Sequence, residues 1–199
     1  MSDFTLTIGR ITDRSREIAC VTHLASLGLV RKRLFRKPAG EYLEWMEAAP
    51  DIDELCLLNL ASVVCFLEHV ARLEGFPDVG VATEKTRFKH LPWYMDSIWL
   101  PVPMEMPKVP LMLDGGWPVF LGSAVSLHSA LTRIREMSDA GLGSTPEGYD
   151  LMRTNVKSFY RTGISVVPER AVLQWVWKGL HDGVECALEH HAPMAGLGL

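Results

Sequence analysis

The sequence has little that signals catalytic chemistry. It contains no Gly-x-Ser-x-Gly elbow and no phosphate-binding loop with its lysine, so the signatures of a serine hydrolase and of a P-loop nucleotide-binding protein are absent. It also contains no Glu-x-x-His pair, the motif that helical bundles repeat to hold metals. We therefore expect no catalytic residues, no cofactor and no metal, which favours a non-enzymatic protein over an enzyme.

Paired cysteines, a targeting signal and a spanning segment are also missing. The four cysteines are widely spaced, with no CxxC pair, which favours buried, reduced thiols. The first ten residues lack the basic and apolar regions of a secretory signal. No apolar run reaches the roughly 20 residues that cross a bilayer. We therefore expect a cytoplasmic protein without membrane contact.

The composition is that of an ordinary globular chain. Of the 199 residues, 48% are hydrophobic and 22% charged, which is enough apolar material for a core. This length fits one domain. We predict a single globular domain over residues 1–191, followed by a flexible tail over residues 192–199, where small residues and glycine predominate.

The most apolar stretch covers residues 55–67, where only Asn59 and Ser62 are clearly polar. Asp51 and Glu54 resemble a capping box, and Gly75 with the following Pro77 supplies a stop. A helix that is apolar on all sides is normally buried. The pattern thus predicts a buried central helix over about residues 52–74.

Other helices are predicted from apolar residues at spacings of three and four. These helices cover residues 13–35, 41–48, 123–139, 144–163, where Ser144 and Glu147 form a capping box, and a last segment from about residue 168. Alternation of Phe4, Leu6 and Ile8 with polar residues or glycine indicates a short N-terminal strand.

Residues 75–120 differ in kind, because seven of the twelve prolines fall there. Prolines exclude a regular helix and leave little room for a central strand. A small hairpin over residues 109–121, around Asp114, Gly115 and Gly116, fits the pattern. The predicted fold is therefore mainly α: a single-domain helical bundle with an ordered Pro/Trp-rich excursion.

Charge is distributed unevenly. Residues 31–37 hold five basic side chains and no acid, and the other 15 basic residues face 24 acids. Residues 41–54, which we call the acidic segment, hold six acids and no base. Such a segment attracts basic partners.

Aromatic residues in the proline-rich excursion offer a second recognition feature, because tryptophan, tyrosine and arginine dominate interface energetics. Together with the acidic segment they predict a surface that binds and masks a basic protein partner, as an immunity protein or antitoxin neutralising a toxin or effector would. The predicted partner-binding residues are Glu41, Glu44, Glu47, Asp51, Asp53, Glu54, Trp93, Tyr94, Asp96 and Trp99. The pattern leaves homo-oligomerisation open.

Two other functions remain as alternatives. The first is a small enzyme or ligand-binding protein, with a pocket between the 75–120 excursion and the helices and with His90, Asp96 and Glu68 or His69 as its polar groups. The second is nucleic-acid binding through residues 31–37, which the net charge of −4 disfavours.

One group of possible metal ligands also occurs on the last predicted helix. His181, Glu185 and Glu189 share a helix face at spacings of four, and His190 and His191 follow. This face lies opposite the apolar stripe, so we interpret it as a solvated polar surface.

Overall fold

The computed structural model describes residues 3–9, 20, 22, 24–26, 31–33, 36–39, 52–76, 85–92, 96–112, 118–146 and 169–198. The strands are β1 (Asp3–Ile8), β2 (Arg31–Arg33), β3 (Arg36–Ala39), β4 (Ile52–Asn59), β5 (Ser97–Leu100), β6 (Lys108–Met112), β7 (Pro118–Ser123) and β8 (Met194–Gly198). The long helices are α1 (Leu60–Leu73), α2 (Ala124–Met137) and α3 (Glu169–Glu189).

A mixed six-stranded sheet organises this fold, in the order β4-β1-β8-β5-β7-β6. Neighbouring strands are antiparallel except β5 and β7, which are parallel. The prediction of a mainly α helical bundle is therefore wrong. The protein combines α and β structure, with the helices packed on a sheet.

The segment predicted as the central helix is a strand in its first part and a helix in its second. Residues 52–59 form β4, which pairs with β1 so that Phe4 lies opposite Leu58 and Leu6 opposite Cys56. Helix begins only at Leu60. A short apolar run without periodicity fits a buried strand as well as a buried helix, and this ambiguity caused the error.

The predicted stop of that helix is confirmed. Gly75 has a φ of +81°, and the Phe76 N–H donates to the Ala71 carbonyl while the Gly75 N–H donates to the Arg72 carbonyl, each at 3.0 Å. This is the hydrogen-bond pattern of a Schellman cap, in which glycine takes the left-handed position without steric cost.

The C-terminal residues form an interior strand of the sheet. β8 pairs with β1 on one side and with β5 on the other, so the prediction of a flexible tail is wrong. Backbone hydrogen bonds hold this strand, and its small residues gave no apolar alternation to detect. Met194 is fully buried.

Three strands occupy the proline-rich excursion. The predicted hairpin is confirmed, because β6 and β7 pair with Leu111 opposite Val119 and Met112 opposite Pro118. β5 was not anticipated. All four of its residues are buried, which hides the alternation that marks a half-exposed strand.

Helix α3 packs against both other helices and against β1, β4 and β8. Gly183 allows this approach, since a Cβ there would lie 2.9 Å from the Met194 Sδ atom. The core beneath the helices includes Leu6, Trp99 and Phe120. Ile98, next to Trp99 in β5, points to the other face and is also buried, so both faces are covered there.

Helices are confirmed at α2 and α3, close to their predicted positions. The helix predicted over residues 13–35 is helical at Cys20, Thr22 and residues 24–26. It does not extend through residues 31–33, because they form β2 and pair antiparallel with β3. The helix predicted over residues 41–48 lies outside the described residues. So does the helix predicted to begin at the Ser144 capping box, except for residues 144–146, which are not helical.

Candidate functional site

The acidic segment leads into β4, with which the strand order of the sheet begins. Asp53 and Glu54 belong to β4, which among the described strands pairs only with β1. Ile8 lies opposite Ile52 and Leu6 opposite Cys56, so residues 53–55 all face one residue of β1. Acids and an irregular register are typical of sheet edges, where they discourage unwanted pairing. Glu41, Glu44, Glu47 and Asp51 lie outside the described residues.

Trp99 is a core residue, which corrects its prediction as a partner-binding side chain. It is fully buried, its indole N–H donates to the His90 carbonyl at 2.8 Å, and its ring lies 5.9 Å from that of Phe120. Asp96 is partly buried, and its carbonyl accepts a hydrogen bond from the Phe120 N–H at 2.8 Å. Trp93 and Tyr94 lie outside the described residues.

A cleft of about 420 Å³ separates part of the excursion from the start of α2, and we call it the His90 cleft. Its polar lining residues are Arg87, Lys89, His90, Glu105, Ser126 and Ser129. Burial lowers the pKa of His90, whose Nδ1 accepts from the Ser123 N–H at 3.0 Å. Nδ1 must be unprotonated to accept this bond, so the second ring nitrogen carries the proton, and it lies 3.5 Å from the Glu105 carbonyl.

A second cleft, of about 450 Å³, lies where α1, the end of α2 and the start of α3 meet. We call it the His69 cleft, and its charged or titratable lining residues are His69, Arg72, Asp139, Glu169 and Arg170. The alternative pocket from the sequence is thus divided, since His69 and His90 line different clefts.

The Ser138 hydroxyl connects to His69 in the second cleft. It accepts from the Ala140 N–H at 3.2 Å, and it lies within hydrogen-bond distance of His69 Nε2, at 2.9 Å. Burial, and then the charge of Arg72, lower the pKa of His69. This geometry fixes a turn after α2, and the cleft offers charged groups of both signs for binding a small polar molecule.

A third group joins two helices. His128 on α2 approaches His181 and Glu185 on α3, and their ligand atoms all lie within 4.8 Å of one another. We call these three residues the His128 cluster. Burial lowers the pKa of His181. His128 and Arg135 lower this pKa further, and Glu185 raises it.

The sequence predicted the shared face of His181 and Glu185 but missed His128. No sequence signal joins residues 53 positions apart, because their proximity depends on the packing of α2 on α3. Glu189, His190 and His191, which follow on the chain, are exposed and lie outside this cluster.

Comparisons add no family to these observations: no protein-family model, no curated protein and no solved structure matches the chain. Among the described helices, none combines the length and apolar character needed to cross a bilayer.

Proposed function

We propose that this protein binds and masks a basic protein partner through its acidic segment, without catalysing a reaction. A toxin or other cationic effector neutralised by an immunity protein or antitoxin is the class of partner that fits. The observation that supports the proposal is the run of six acids without a base, which continues into β4, the outermost strand of the sheet among the described residues.

Position strengthens the charge argument. An edge strand presents one row of backbone N–H and C=O groups outward, where an extended segment of a partner can pair with it. Acids beside such an edge attract a cationic segment and repel an acidic one. Charge therefore selects the partner and accelerates association. Contacts along the strand edge then stabilise the complex.

The experiment is a pair of matched charge reversals in the full chain. A partner is first captured from the native host, identified and purified, and its association rate is then measured at several salt concentrations. We expect Glu44→Lys with Glu47→Lys to slow association by about 10-fold or more at low salt and to flatten its salt dependence.

The control is Glu68→Lys with Glu136→Lys, which changes net charge equally at two exposed helical positions. It should slow association far less. Equal rates for wild type and the acidic-segment variant, or equal slowing in both variants, would contradict the proposal. An acidic captured partner would also contradict it.

Small-ligand binding in the His90 cleft is the second candidate, supported by a cleft between part of the excursion and α2 that His90 lines. Lys89 lines this cleft together with Val125 and Ser126 of the first turn of α2, and both the cation and the helix start favour a small anion. Inorganic phosphate should then raise the melting temperature, and Lys89→Gln should abolish the rise. The control is Arg133→Gln at an exposed position of α2. An equal shift in all three proteins, or none, would reject this candidate.

A further inference from the structure

We propose that the His128 cluster binds a divalent first-row transition metal, with zinc as the reference ion. Two imidazoles and one carboxylate are the ligand types that zinc, cobalt and nickel accept from proteins. The site lies where α2 packs on α3 and uses none of the predicted partner-binding residues, so it goes beyond the proposed partner binding.

The spacing of the ligand atoms fits a metal. In a tetrahedral zinc site, bonds of about 2.0–2.1 Å place neighbouring ligand atoms about 3.3 Å apart. His181 Nδ1 and Glu185 Oε2 are already 3.3 Å apart, one helical turn from each other on α3. Since all three ligand atoms lie within 4.8 Å, side-chain rotation has to close at most about 1.5 Å to complete the set.

Trp177 holds the two helices and one ligand in place. Its indole N–H donates to the Leu131 carbonyl of α2 at 2.9 Å, which joins α3 to α2 one turn from His128. Its ring stacks on the His181 imidazole, with centroids 4.5 Å apart and planes at 23°. Stacking fixes the plane of the imidazole and leaves the nitrogens at its edge available. This support is the kind that makes metal ligands rigid.

The two histidines are also accessible as ligands. Their rings lie 5.3 Å apart, and among the described residues no hydrogen bond engages the ring nitrogens of His128. The Glu185 side chain is 57% exposed, so an ion can enter from solvent. Three protein ligands leave a fourth position for water, as in open zinc sites.

One neighbouring charge opposes a cation. The Arg135 guanidinium lies 5.7 Å from the centroid of the Trp177 ring, on the α2 side of the same cluster. Its charge should weaken metal binding, and its removal should strengthen it. This gives the proposal a gain-of-affinity test that a purely structural role of the histidines would not produce.

The experiment titrates the metal-free full chain with Zn²⁺ by calorimetry and with Co²⁺ by visible absorption. We expect one ion per chain and a Co²⁺ spectrum of nitrogen and oxygen ligands. His128→Gln, His181→Gln and Glu185→Gln should each weaken binding by at least about 10-fold. Arg135→Gln should strengthen it by about two- to fivefold.

The control is His190→Gln with His191→Gln, two exposed histidines in the turn after α3, and it should leave the affinity unchanged. Circular dichroism of each variant separates loss of binding from loss of fold, and Glu185→Gln alters an exposed side chain. The proposal fails if neither ion binds, if the control loses affinity while His128→Gln retains it, or if a thiolate-to-cobalt absorption band assigns the ion to cysteines.

Discussion

His90 Nδ1 accepts a hydrogen bond from the backbone N–H of Ser123 at 3.0 Å, across 33 positions of sequence. Ser123 ends β7 and caps α2, so this bond joins the proline-rich excursion to the junction of a strand and a helix. The His90 carbonyl meanwhile accepts from Trp99 in β5. A histidine outside the strands therefore helps to fix two of them and the start of a helix.

The burial of His90 makes the fold sensitive to acid. Because burial lowers the pKa of His90 below its usual 6.5, the unfolded chain takes up a proton at a higher pH than the folded chain. The free energy of unfolding should therefore keep the His90 contribution above pH 6.5 and lose it as the pH falls from 6.5 through the folded-state pKa. The slope from one group is at most about 1.4 kcal/mol per pH unit.

Urea unfolding at a series of pH values measures this effect. His90→Gln should reduce the slope below pH 6.5, while His190→Gln, at an exposed position, should leave it unchanged. His69 shares the direction of its pKa shift with His90, so some slope should remain in the His90 variant. An identical slope in His90→Gln and wild type would show that His90 is not responsible.

Ser123→Ala should destabilise the protein by about 1–3 kcal/mol. The hydroxyl accepts from the Ser126 N–H at 3.1 Å as the cap of α2 and donates to the Val102 carbonyl at 2.6 Å. Alanine removes the partner of the part-buried Ser126 N–H and of the buried Val102 carbonyl. Ser129→Ala, at an exposed position of α2, should change stability by less than about 0.5 kcal/mol. Similar midpoints for the two variants in chemical denaturation would refute this account of Ser123.

Gly122→Ala should cost about 1–3 kcal/mol. A Cβ at this position of β7 would lie 2.7 Å from carbon atoms of both the Phe120 and the Trp99 rings. Both rings are fully buried, so neither can move without disturbing the core. Val125→Ala, at an exposed position nearby, is the comparison. Thermal and urea unfolding should show the difference, and equal stability of the two variants would mean that the core has more free space than the structure shows.

Deleting residues 194–199 should abolish cooperative unfolding. β8 lies between β1 and β5, so its removal leaves backbone groups unpaired on both sides and divides the sheet. Deleting Leu199 alone, beyond the end of β8, should have little effect. If the variant that lacks residues 194–199 still unfolds cooperatively near the wild-type temperature, the flexible-tail prediction would be restored.

Local signals in the sequence predicted much of the local structure. Alternation predicted β1, apolar spacing predicted α2 and α3, and glycine predicted the end of α1. These elements have a half-polar face or a conformational requirement that a single residue type reveals. The second half of β4 was mistaken for helix because residues 55–58 belong to a nearly continuous apolar run, which has no period to read.

The sheet and the His128 cluster depend on distant pairings. β8 is held by backbone hydrogen bonds to β1 and β5, and its Gly196 and Gly198 carry no side-chain pattern. His128 meets His181 only because α2 packs on α3. Charge is readable from the sequence alone, which is why the acidic segment could be recognised before Asp53 and Glu54 were found in β4.

Hydrogen exchange of the full chain, with and without the captured partner, tests the central claim most directly. Binding through the acidic segment and β4 predicts slower amide exchange in residues 41–59, with little change in residues 87–106 and 181–191. Protection confined to those other ranges, with unchanged exchange in residues 41–59, would contradict the account.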